Sequence, residues 1–207
     1  MQDNENIPWV EKYRPTQFDN IVLNEKNKKL FTNILDSKYF PNLLFYGPPG
    51  TGKTTTIINL INEYNNRYTS YSKGSVIHLN ASDERGIEII RNQIQQFVKT
   101  TNFFENCIKF VILDEVDYMT KNAQQALKYL LQINNYKIRF CLICNYISKV
   151  DISLKNEFLC IRFNQLPKEK TKSFLKNIAD GEALSINENG YDSLLDIRLM
   201  DKIVTLL

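Results

Sequence analysis

Residues 43–54 read Leu43-Leu-Phe-Tyr-Gly-Pro-Pro-Gly-Thr-Gly-Lys53-Thr54, and this stretch decides the architecture of the chain. Four apolar residues, Leu43–Tyr46, lead into a loop whose last eight positions fit the pattern G-x-x-x-x-G-K-[ST]. Glycines at such spacing let the backbone turn so that successive N–H groups face inward at phosphate oxygens. A helical pattern follows at 53–66, and its amino-terminal end adds positive potential to the same place. The loop residues Gly47, Pro48, Pro49, Gly50, Thr51, Gly52, Lys53 and Thr54 are therefore candidates for holding ATP. Lys53 has the reach for the β- and γ-phosphates, and the Thr54 hydroxyl suits a Mg²⁺ ligand. A plain Gly/Pro-rich turn is the competing reading, and the flanking strand and helix weigh against it.

Outward from the loop, short apolar runs alternate with amphipathic stretches, the signature of a parallel α/β sheet. The runs are Leu43–Tyr46, Val76–Leu79, Phe110–Leu113 and Arg139–Ile143, with a weaker one at Cys160–Phe163. Such near-continuous apolar segments suit strands covered on both faces. Helical patterns occupy about 53–66, 86–98 and 121–133. After Pro167 the character changes, with helices at 168–180 and 187–207. The chain thus divides into a nucleotide-binding domain at 1–166 and a small helical domain, whole or incomplete, at 167–207.

A second motif supports the first. Phe110-Val-Ile-Leu-Asp114-Glu115 is a buried strand ending in two carboxylates. About sixty residues after a phosphate loop, this is the Walker B arrangement. Asp114 would hold Mg²⁺, and Glu115 would orient and polarise the attacking water.

Bulk properties narrow the class. The net charge of +3 neither requires nor excludes nucleic acid, because the placement of charge matters more than its sum. The opening MQDNENIPWV lacks the basic start and apolar run of a secretion signal, and no stretch approaches the roughly 20 apolar residues of a membrane helix. A soluble intracellular protein is expected. Cys141 and Cys144 form a C-x-x-C, but within the run IRFCLIC they read as buried strand residues. Side chains three apart on a strand point to opposite faces and cannot share a metal.

Beyond these motifs the sequence resembles the small subunits of replication factor C, the AAA+ clamp loader of eukaryotes and archaea. The likeness runs from about Pro8 to Pro167. It rests on Pro8-Trp-Val-Glu-Lys-Tyr-Arg-Pro15, Phe45-Tyr-Gly-Pro-Pro-Gly-Thr-Gly-Lys-Thr54, Leu79-Asn-Ala-Ser-Asp-Glu-Arg-Gly86, Ile112-Leu-Asp-Glu-Val-Asp117 and Cys144-Asn-Tyr146. The resemblance implies an AAA+ P-loop NTPase with a parallel five-stranded sheet flanked by helices, followed by a small helical lid. It implies an ATPase that opens a sliding clamp and places it on primer–template DNA during replication and repair, slow when isolated. Its partners would be other clamp-loader subunits, the clamp and the DNA backbone, at the site of replication, which is the nucleus in eukaryotes. A nucleotide-dependent assembly or regulatory protein with little hydrolysis is the alternative.

Residue by residue, the resemblance puts Val10, Arg14 and Val22 around the adenine. It makes Lys53, Asp114, Glu115 and Asn145 catalytic, with Asn145 as the sensor near the γ-phosphate, and gives Asn80 a restraining hold on Glu115. Thr54 and Asp114 would bind Mg²⁺. Arg85 and Arg91 would meet DNA phosphates, and Phe103 and Phe104 the clamp. Two departures stand out. Where the family carries a Ser-Arg-Cys whose arginine enters the neighbouring site, this chain has Asn156-Glu157-Phe158, so no working arginine finger is expected, and Arg162 does not replace it. The lid's Gly-Asp-Met-Arg segment is matched only by Leu195-Asp-Ile-Arg198, which makes Arg198 the candidate second sensor. The family's collar domain has no counterpart up to Leu207, which points to a truncated product or a different assembly.

Overall fold

The computed structural model describes residues 8–68, 74–82, 92–97, 108–133, 138–166, 168–187 and 189–192. Within them, five parallel strands form one sheet in the order β2-β3-β4-β1-β5. The strands are β1 Leu43–Tyr46, β2 Val76–Asn80, β3 Lys109–Asp114, β4 Ile138–Cys144 and β5 Leu159–Arg162. Each expected run is a strand, with no end shifted by more than one residue. The sheet is the AAA+ arrangement that the resemblance implied.

The reason lies in alternation across two cores. On β4, Cys141 and Ile143 face one cluster with Phe31, Phe45 and Ile57. Phe140, Leu142 and Cys144 face the other, with Leu127, Leu130 and Val116. With period-two side chains, a strand between two apolar layers must be apolar at every position. The two cysteines accordingly sit in different layers, as the strand reading requires. Burial pushes the Cys144 thiol up to about 12 and raises that of Cys141 as well, so both pack as small apolar groups.

The helices that cover the faces are α1 Trp9–Lys12, α2 Glu25–Asp36, α3 Lys53–Tyr68, α4 Lys121–Ile133, α5 Ile152–Lys155 and α6 Lys168–Gly181. The sequence reading missed α2. Its signals are present: Asn24 caps the first turn by accepting from the Asn27 N–H at 2.7 Å, and Phe31, Ile34 and Leu35 form its buried stripe. Of the helix expected at 86–98, residues 92–97 are described and helical; of that expected at 187–207, residues 189–192 are.

The strand order has one consequence for function. From β1 the chain moves to the far side for β2, and it returns to β1's other edge only with β5. Beside the carboxyl end of β1 the connections therefore diverge and leave a crevice, where open α/β sheets bind ligands. The aromatic packing beneath that end is tight. Phe45 is fully buried, with its ring 4.8 Å from Phe163 and 5.5 Å from Phe31. Phe45→Ala should cost about 3–5 kcal/mol of folding stability. Urea unfolding of the variant beside the wild type measures this directly.

Candidate functional site

The phosphate loop leaves β1 at Gly47, whose φ is +147°, and a Cβ built there would lie 2.0 Å from the Phe163 carbonyl oxygen. Only glycine fits, because the chain just past β5 runs alongside in continuation of the parallel β1–β5 pairing; the Phe163 N–H donates to the Tyr46 carbonyl at 2.7 Å. Gly50 and Gly52 take φ of +70° and +82°, the left-handed region that favours glycine. α3 then starts at Lys53. The Thr56 N–H and hydroxyl both donate to the Gly52 carbonyl, at 2.8 and 2.7 Å, and tie loop to helix.

The Lys53 side chain is buried, with 7% exposure. Its ammonium donates to the carbonyls of Gly47 and Pro48, each at 2.8 Å, and to Asn145 Oδ1 at 2.9 Å. Thr54 Oγ1 donates to Asp114 Oδ2 at 2.9 Å. The four sequence candidates Lys53, Thr54, Asp114 and Asn145, spread over 93 positions of the chain from 53 to 145, thus meet at the carboxyl ends of β1, β3 and β4.

Asp114 also accepts from the Glu115 N–H at 2.9 Å. Burial alone would raise this acid; contacts from His78, the Thr54 hydroxyl and the Glu115 N–H outweigh it and hold the carboxyl below the usual range. His78 Nε2 lies 3.8 Å from Asp114 Oδ2. The sequence reading assigned His78 no role, since nothing local says that β2 will pair with β3.

Glu115 follows in the left-handed region, φ 58° and ψ 37°, an uncommon conformation for a residue other than glycine. Asn80 is in register with Asp114 across the β2–β3 ladder. Its Oδ1 accepts from the Ser82 N–H and hydroxyl, both at 2.9 Å, and no bond links it to Glu115 among the described residues. Asn145 directly follows β4, and the next N–H, that of Tyr146, donates to Asp117 Oδ2 at 3.2 Å.

The amino-terminal box approaches from the other side. Val10 lies in α1, Arg14 is exposed and Val22 is half-buried beside buried Leu23. Asn59 of α3 donates to the Pro15 carbonyl at 2.8 Å, which anchors the box to the helix that starts at Lys53. Lys12 and Tyr13 both donate to Glu182 Oε1, at 2.5 and 2.7 Å, linking the box to the end of α6. Glu157 is exposed just past α5, and Arg162 is exposed on β5 in register with Tyr46. Arg85, Arg91, Phe103, Phe104 and Arg198 lie outside the described residues.

An ATP phosphate tail with Mg²⁺ fits these residues. A loop with left-handed glycines, a buried ammonium and a hydroxyl already on a carboxylate match the charge and ligand preference of that group. Magnesium favours one or two carboxylates, water and phosphate oxygens, and Thr54 with Asp114 offers such a set.

Residues 43–166 match the profile of the "ATPase family associated with various cellular activities (AAA)". Replication factor C small subunit 2 of Pyrobaculum islandicum is 42% identical over 188 residues, which are 91% of this chain and 58% of that protein. Replication factor C subunit 3 of Saccharomyces cerevisiae is 39% identical over 197 residues, covering 95% and 57%. Replication factor C subunit 5 of Homo sapiens is 39% identical over 193 residues, covering 93% and 56%. The chain therefore spans somewhat over half the length of these curated relatives. Among solved structures, the Thermotoga maritima RuvB Holliday junction branch migration motor superposes with a TM-score of 0.70 at 16% identity, covering 94% of this chain and 66% of that one. At that identity the likeness shows the fold.

The depressed Asp114 carboxyl makes a signed prediction. In the folded chain it titrates below its ordinary 3.8, so the unfolded chain binds the proton first and stability falls as the pH drops through the folded value. The wild type should lose stability below about pH 4 by a contribution that Asp114→Asn lacks. Chemical denaturation of both proteins at stepped pH compares the slopes.

Proposed function

We propose that this chain, which belongs to the ATPase family associated with various cellular activities, binds and hydrolyses ATP·Mg²⁺ as a subunit of a DNA sliding-clamp loader. One observation carries the catalytic half of the reading: two hydrogen-bonded pairs, Lys53 with Asn145 and Thr54 with Asp114, form at the start of one helix and the ends of the strands. The relatives, all named as replication factor C subunits, support the other half.

Bound Mg²⁺ supplies charge neutralisation at the β- and γ-phosphates. The chain's own residues do the rest. Loop N–H groups from Gly50 to Thr54 cradle the phosphate tail, and Lys53 turns from the Gly47 and Pro48 carbonyls toward it. Glu115 accepts a proton from the attacking water while Asn145 orients it. Val10, Arg14 and Val22 border the base. Arg198 reads the γ-phosphate from a helical lid at 167–207, which follows the ATPase domain at 1–166.

Arg85 and Arg91 contact DNA phosphates without reading sequence, so binding weakens steeply with salt. Phe103 and Phe104 anchor the clamp. The setting is DNA replication, in the nucleus for a eukaryotic chain. Because Glu157 stands where the family carries an arginine, this subunit receives a finger from a neighbour and returns none. Turnover by the isolated chain is accordingly slow.

ATPase assays with and without clamp, primed DNA and partner subunits test the reading. Stimulation by all three is expected, with Glu115→Gln keeping ATP affinity while hydrolysis drops at least about a hundredfold. Nucleotide binding without stimulation would favour a regulatory protein instead. In the assembled complex, Glu157→Arg should not slow the ATPase; a slower rate would show that Glu157 itself serves the neighbouring site.

A further inference from the structure

Asp117 has no role in the scheme above, yet its environment is costly. It is 4% exposed, and its Oδ1 is buried without a hydrogen-bond partner among the described residues. A buried carboxyl oxygen left unpaired is destabilising, and an apolar side chain there would pack at less cost. Its other oxygen, Oδ2, accepts from the Tyr146 N–H at 3.2 Å.

That bond joins two short turns of the candidate site. Asp117 lies in the 3-10 turn Val116–Tyr118, immediately after left-handed Glu115. Tyr146 precedes the 3-10 turn Ile147–Lys149 and directly follows Asn145, whose Oδ1 touches the Lys53 ammonium. A second tie spans the same turns. Lys149 Nζ stands 5.3 Å from the ring centroids of both Tyr118 and Tyr146, although these tyrosines are 60% and 59% exposed. The cation–π pair is surface-bound and weak; the Asp117 bond is the buried link.

We propose that Asp117 is a positioning residue for hydrolysis: its carboxyl holds the Asn145–Tyr146 strand end at a set distance from the turn that carries Glu115. This rests on the ATPase reading above. Glu115 and Asn145 directly follow β3 and β4, whose parallel ladder runs up to the pair Leu113–Leu142, and beyond that ladder the Asp117–Tyr146 bond ties the two chain segments directly. A shift of about 1 Å between two such groups is enough to cost on the order of a hundredfold in rate.

Asp117→Leu and Asp117→Asn in the full chain separate positioning from plain packing. In Asp117→Leu the single-turnover hydrolysis rate should fall by at least about tenfold, with the ATP·Mg²⁺ Kd within about twofold and Tm unchanged or higher. Amide hydrogen exchange at Tyr146 should speed up together with the loss of rate. Asp117→Asn keeps an acceptor oxygen and should recover the rate to within about threefold. A rate for Asp117→Leu within about twofold of wild type overturns the proposal. So does a joint fall of Tm, affinity and rate that Asp117→Asn does not rescue, since that is the mark of a packing residue. If the wild type binds ATP but shows no hydrolysis even with partners, the ATPase reading fails by itself. Tyr146 exchange then decides the geometric claim, and unchanged protection in Asp117→Leu rejects it.

Discussion

A buried ammonium must have its charge and all its protons matched, and in this chain that demand falls on Lys53. Its acceptors include two carbonyls of the loop it belongs to and the side chain of Asn145, just past β4. The loop, the helix that begins at Lys53 and the end of β4 are thereby fixed to one another. Removing one of these acceptors would leave a buried donor less well satisfied, which is destabilising. The loop's shape and the position of Asn145 both answer to that constraint.

The same ends are bound together from below and from the side. Under the loop, Phe31, Phe45 and Phe163 stack with tilted rings. The chain after β5 runs so close to Gly47 that no side chain fits between them. Beside it, the Gln124 amide, nearly inaccessible to water, donates to the Met119 and Lys149 carbonyls and accepts from the Asp151 N–H. With the Asp117–Tyr146 bond, it gives the segments after β3 and β4 a polar seam. A site held by several such links suits chemistry that depends on positioning and preorganised charge.

Much of this was legible in the residues. The loop pattern declares itself because each of its glycines and its lysine has a local, sequence-contiguous reason to be there. The five apolar runs were legible because a strand buried on both faces needs apolar residues without interruption. α2 was missed although Asn24 and the Phe31, Ile34, Leu35 stripe were in view, since a polar helix between two motifs draws no attention to itself. His78 was passed over for a different reason. Its proximity to Asp114 exists only through the β2–β3 pairing, and β2 carries no mark of its neighbour.

The sequence by itself determined the alternation of strand and helix, the phosphate loop and the acid pair, all of which are written in runs of neighbouring residues with a fixed period. The tertiary structure alone decided which strand ends lie side by side, and so that Lys53 meets Asn145, Thr54 meets Asp114 and Asp117 meets Tyr146. The physical reason is that strand order follows from burying both sheet faces at once. That condition belongs to the whole chain and leaves no trace at any single position.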